Sequence, residues 1–196
     1  MNTRRFLTLG LIVLGLTAVG PAGGSPTPGL IDDFSRADGR SALGAEWRFF
    51  ADTVMGGVSR GRAVRDSLDG QSCMRLMGQV SLENNGGFVQ VALRVDDRPG
   101  PLNAGTWTGI RLVVRGNGRD YDVHLRTGQT RLPWQYYSAT FPTTNAWTTV
   151  DLPFDAFRPA ALSARLDPAQ LTRIGIVAAR RAFTADVAVA RVSFYR

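Results

Sequence analysis

From Leu30 to Tyr195, apolar and polar residues alternate in short runs separated by Gly, Pro, Asn and Asp, and no stretch holds a helical period beyond four turns. A segment of period two has one apolar face, which must be buried against a second layer. The runs fall at 30–34, 47–51, 60–64, 73–80, 88–95, 108–115, 120–126, 136–141, 147–152, 173–178 and 185–195. Strands of this length and spacing predict an all-β chain folded as an antiparallel β-sandwich of the jelly-roll kind. One helical turn is expected within 163–171, where Asp167 can cap ahead of Pro168.

The first two dozen residues follow a different rule. Arg4 and Arg5 precede an apolar run from Phe6 to Val19, and the small residues Gly20 and Ala22 follow it. This is the pattern of a secretory signal. Residues 1–22 are expected to be the signal peptide, 23–29 a Pro- and Gly-rich linker, and 30–196 a single domain. The expected location is periplasmic or secreted, with an uncleaved anchor as the alternative. Cys73 is the lone cysteine, so no intramolecular disulfide can form, and its place in a strand pattern suits a small buried hydrophobe.

The formal charge is +7 and every basic residue is arginine, yet the arginines form no run. Nucleic-acid binding would want them clustered and interleaved with exposed aromatics, so it is not expected. An acidic partner or anionic surface stays open.

Asn117-Gly118 between two alternating runs is the two-residue type I′ hairpin signal. Its register would set Val114 opposite Tyr121, Leu112 opposite Val123 and Arg111 opposite His124. Ile110, Leu112, Val114, Tyr121, Val123 and Leu125 would then share one face. In the last strand, Val187 and Val189 are out of phase with Val192 and Phe194, which predicts a bulge near Ala190-Arg191.

Two glycine doublets stand in polar settings at strand ends, Asp52-Thr53-Val54-Met55-Gly56-Gly57-Val58-Ser59 and Glu83-Asn84-Asn85-Gly86-Gly87-Phe88. Paired glycines mark places where φ is positive or where something approaches the backbone closely. Both read as shaped loops at the rim of a sheet. Gly57-Val58-Ser59-Arg60-Gly61 also matches the nucleophile elbow of hydrolases. That motif needs a following helix in a parallel sheet, which this chain does not suggest. His124, the sole histidine, is the one available base, and it reads as a neutral residue on a solvated sheet face. No catalytic residue, cofactor or metal site is expected.

Trp47 with the first doublet block, residues 78–88 with the second, Arg115-Gly116-Asn117-Gly118-Arg119-Asp120-Tyr121, and Trp147 with Leu152-Pro153-Phe154 through Phe157 together resemble the complex I intermediate-associated protein 30 family. The likeness runs from about Ile31 to the C-terminus. It implies a galactose-binding-like jelly roll that is not an enzyme and binds a protein partner, since mitochondrial members act as assembly chaperones for respiratory complex I. Candidate partner-binding residues are Asp52, Met55, Gly56, Gly57 and Ser59 on one rim loop. Asn84, Asn85, Gly86 and Gly87 stand on the other, with Arg115 and Arg126 on an adjoining face. The rival reading is a carbohydrate-binding module whose glycan platform is built from Trp134, Tyr136 and Tyr137.

Overall fold

The computed structural model describes residues 27–95 and 100–196. The expected signal peptide, the start of the linker and Asp96-Asp97 lie outside them. Twelve strands form among the described residues: β1 Leu30–Asp32, β2 Trp47–Ala51, β3 Arg60–Leu68, β4 Gln71–Val80, β5 Phe88–Arg94, β6 Gly109–Gly116, β7 Asp120–Thr127, β8 Tyr136–Pro142, β9 Thr148–Pro153, β10 Arg158–Ala160, β11 Leu171–Ala179 and β12 Phe183–Tyr195. They pair antiparallel into two sheets. Sheet A runs β3-β4-β12-β6-β9, with β1 also pairing β12; sheet B runs β10-β8-β7-β11-β5-β2. The expected helical turn is a 3₁₀ turn at Pro168–Gln170, capped by the Asp167 side chain accepting from the Ala169 amide.

Period-two alternation fills the space between the sheets. Sheet A contributes Leu76, Ile110, Leu112, Val187 and Val192, and sheet B contributes Val91, Leu93, Val123, Leu125, Tyr137, Phe141, Ile174 and Ile176, all at most 2% exposed. Each such side chain withdrawn from water stabilises the sandwich by about 2 kcal/mol before entropy is charged. Cys73 is buried in a smaller cluster with Ala188 and Ala190, a hydrophobe as its setting suggested.

The expected β6–β7 hairpin is not formed. β6 belongs to sheet A, between β12 and β9, while β7 belongs to sheet B, between β8 and β11. The segment 117–119 is an arch between layers. A type I′ turn requires positive φ at both central residues, and here only Gly118 (76°) has it. Asn117 instead ties the arch to β12, its amide donating to the Asp186 carbonyl and its Nδ2 to the Thr184 carbonyl. The inward set of the two strands is nonetheless as patterned, because both apolar faces point into the same core from opposite sides. Arg111 therefore faces Asp151, not His124.

The true two-residue hairpin is Asp69-Gly70, which joins β3 to β4 with Leu68 opposite Gln71. Its φ values of 53° and 77° are both left-handed. The predicted bulge in β12 is present, with the register on β6 slipping between Val189 and Arg191.

Candidate functional site

β2 and β5 are neighbours in sheet B, and β3 and β4 are neighbours in sheet A. The links β2→β3 and β4→β5 therefore cross the same edge of the sandwich in opposite directions. These two arches carry the two glycine doublets. A single carboxylate locks them together.

Asp52 is fully buried at the first turn of its arch. One carboxylate oxygen accepts from the Ser59 amide at 2.9 Å. The other accepts from the amides of Gly87 at 2.6 Å and Phe88 at 3.2 Å, and from the Ser59 hydroxyl. The Ser59 oxygen in turn accepts from the Ser81 amide at 3.0 Å, on the second arch. Desolvation alone would raise the Asp52 pKa, but the hydroxyl and amide donors outweigh it and hold the group below the usual carboxylate value.

The glycines make this latch possible in two ways. Gly56 (φ 89°) takes the left-handed conformation that ends the 3₁₀ turn. Gly57 and Gly86 are small for clearance: a Cβ on either would run into the Asp52 carboxyl. The doublets thus converge, but the space between them is filled from inside the protein.

This alters the roles of the candidate residues. Asp52 and Ser59 cannot offer hydrogen bonds to a partner, because both are buried and bonded to each other. Ser59 is no nucleophile elbow either: strand β3 follows it, and His124 lies on the outer face of sheet B. Asn84 and Asn85, both at positive φ, stay exposed on the rim with Met55. Arg115 and Arg126 do not share a face. Arg115 stands on sheet A, paired with Asp69. Arg126, on sheet B, donates to the carbonyls of Thr130 and Leu132.

The arches also expose apolar residues, of which sequence reasoning named Met55 and passed over the other three. Val54, Met55, Val58 and Leu82 are 72%, 55%, 38% and 51% exposed. Val58 precedes Ser59 and Leu82 follows Ser81, so the Ser81–Ser59 hydrogen bond ties together the two chain segments that carry these apolar residues. A Val-Met pair inside a polar, glycine-bearing loop was the available signal.

The aromatic candidates separate. Tyr137 is a core residue, fully buried with its hydroxyl donating to the Arg165 carbonyl, and cannot be part of a glycan platform. The alternation of β8 that sends Tyr137 inward sends Tyr136 outward. Tyr136 stacks on His124 with ring centroids 3.9 Å apart. Trp134 is exposed in the preceding loop. His124 is held neutral: burial and then the nearby Arg180 charge push its pKa down to about 3. Among the described residues, no group of three or more His, Cys, Asp or Glu is placed to hold a metal ion.

Comparison with solved structures finds the same sandwich fold in several proteins. A family 11 carbohydrate-binding module from Clostridium thermocellum, in complex with a β-1,3-1,4-mixed-linked tetrasaccharide, superposes with a TM-score of 0.65 at 13% identity, covering 85% of this chain and 94% of that one. The family 11 module of the cellulase Lic26A-Cel5E from the same organism gives 0.64 at 13% identity, covering 87% and 95%. A family 30 module of its cellulase Cel9D-Cel44B gives 0.50 at 13% identity, covering 68% and 90%. At these identities the likeness is one of fold. A search of curated proteins finds no match. The family profile described as Complex I intermediate-associated protein 30 (CIA30) matches residues 33–187, which take in both arches and all but the ends of the sandwich, and the chain belongs to that family.

Proposed function

We propose that this protein is an exported, non-enzymatic binding domain that assists the assembly or stability of a membrane or respiratory complex by docking a protein partner on its paired arches. The observation that carries this reading is the apolar tip of the arches. Among the described residues, four of the six large hydrophobic side chains left exposed are Val54, Met55, Val58 and Leu82. Exposed apolar residues are unremarkable singly but mark interaction sites when gathered. Exposed polar residues adjoin them in the chain, Glu83, Asn84 and Asn85 after Leu82 and Arg60 just beyond Val58 and Ser59. An apolar centre inside a polar rim is the anatomy of a protein interface.

The Asp52 latch supports the same reading. It fixes both arches internally, so a partner would meet a prepared surface and little ordering entropy would be lost on binding. Met55 adds an unbranched side chain that adapts to the contour it meets. Family membership supports a protein client, and the N-terminal pattern of Arg4, Arg5 and the apolar run supports export.

The test is recovery of crosslinked partners with the tagged protein from intact cells. Membrane-complex subunits are expected with the wild type and should be lost with the double substitution Met55→Asp, Leu82→Asp, whose melting temperature should stay near that of the parent because both side chains are exposed. Recovery of the same subunits with the double variant would remove the arches from the interface.

A further inference from the structure

Sheet A ends on one side at β3, which among the described residues pairs with β4 and with no strand beyond it. An edge strand presents unpaired amides and carbonyls, and proteins commonly blunt it by shortness, proline or a bulge. The strands at the other three ends of the two sheets are blunted in this way. β2 has five residues, β9 has six and finishes on Pro153, and β10 has three with Pro159 at its middle. β3 has nine residues, no proline and an unbroken register on β4.

The hairpin decides which main-chain groups are open. Leu68 and Gln71 close the two-residue Asp69-Gly70 turn as a hydrogen-bonded pair, and bonded pairs recur at every second residue along an antiparallel ladder. Asp66, Val64, Arg62 and Arg60 therefore bond to β4, while Ser67, Arg65, Ala63 and Gly61 turn their amides and carbonyls outward. Toward the turn this edge is occupied. The Ser67 amide donates to the Asp66 carboxylate, and the Arg65 guanidinium donates to the carbonyls of Phe34 and Gly39. The open stretch is 60–64, where Gly61 is exposed and has no side chain to shield its main chain.

Charge selects what fits there. Ala63 lies opposite Leu76 and packs on the core, so Arg60 and Arg62 stand on the outer face of sheet A. Elsewhere on that face arginines are matched: Arg75 by Asp186, Arg111 by Asp151 and Arg115 by Asp69. Arg60 and Arg62 are exposed and have no acidic partner among the described residues. A second copy is a poor occupant, because β3 paired antiparallel with itself about Arg62 sets arginine against arginine.

Building on the reading that a client docks at the arches, we infer that the client supplies an extended acidic segment, which adds to β3 as a further strand. The open stretch begins two residues after Val58, so this edge leads on from the first arch. The added strand runs antiparallel, as every other pair in the sandwich does. Its carboxylates face Arg60 and Arg62, and its alternate residues exchange main-chain hydrogen bonds with Gly61 and Ala63. Main-chain bonds supply affinity in this mode and alternate side chains supply selectivity.

Fluorescence anisotropy with the purified protein and a labelled, end-blocked ten-residue peptide of alternating glutamate and valine tests this. Saturable binding that salt weakens is expected, with none for the lysine–valine counterpart. N-methylating the valine amides, which face β3, should abolish binding; N-methylating the glutamate amides, which face away, should not. Arg60→Glu with Arg62→Glu should weaken the acidic peptide about tenfold, two cross-strand charge pairs being lost. The same variant should bind the lysine peptide instead, which a misfolded chain could not do. Arg131→Gln, in the loop before β8, should change nothing. No binding of the acidic peptide overturns the inference, as does equal binding of the basic one or equal effects of the two N-methylations. In the crosslinking experiment the charge-reversed variant should lose the client. Full recovery with it, beside loss with Met55→Asp, Leu82→Asp, would overturn the edge and leave the arches standing; recovery with the arch variant would instead remove the reading beneath it.

Discussion

Asp52 shows how one residue can decide the shape of a surface it does not belong to. Its carboxylate closes three backbone amides and a hydroxyl from two arches that are distant in sequence. Removing it leaves those amides buried and unpaired, each at a cost of about 1 kcal/mol or more, so Asp52→Ala should destabilise the fold by roughly 3 kcal/mol in chemical denaturation. Gly57→Ala should be harmful for the complementary reason, since the new methyl competes with the carboxyl for one volume. His124 sets a pH dependence of its own. Its folded pKa of about 3 lies below the ordinary 6.5, so between these values the unfolded chain binds a proton that the native protein refuses. Its contribution is whole above pH 6.5 and is lost progressively as pH falls toward 3. His124→Gln should flatten that part of the stability–pH curve. An unchanged slope in the variant would show that other groups cause the acid sensitivity.

At the level of elements, alternation proved a better guide than turn dipeptides. Residues 47–51 are a strand as read, and the interior set of β6 and β7 is correct to the residue. Asn117-Gly118 and Asp69-Gly70 are equivalent as turn signals, yet only the second closes a hairpin. The difference is tertiary: β12 takes the ladder edge that β7 would have used, and a Cβ at Gly116 would meet the Thr143 side chain, which leaves the arch no slack. No local pattern can reveal a strand 70 residues downstream claiming an edge. The same limit explains the candidate site. The glycine doublets announced a built corner, but only coordinates show Asp52 occupying it, and β10, three residues long, gives too short a run to read. Gly70→Ala should therefore cost about 1 kcal/mol, because Ala must hold a φ of 77°.

The sandwich as a whole holds its arch tip on a frame in which one buried carboxylate joins the loops of both sheets. Substitutions that share no residue and no bonded network should act additively. Met55→Asp with Leu82→Asp changes only exposed side chains and is expected to abolish recovery of the protein client with little change in melting temperature. Asp52→Ala is expected to change both readouts, because it loosens the two arches together: the fold should melt earlier and the client should be recovered more weakly. Full recovery of the client with Asp52→Ala, at a temperature where the variant stays folded, would mean that the latch serves the fold alone and that docking does not need the arches held in one shape.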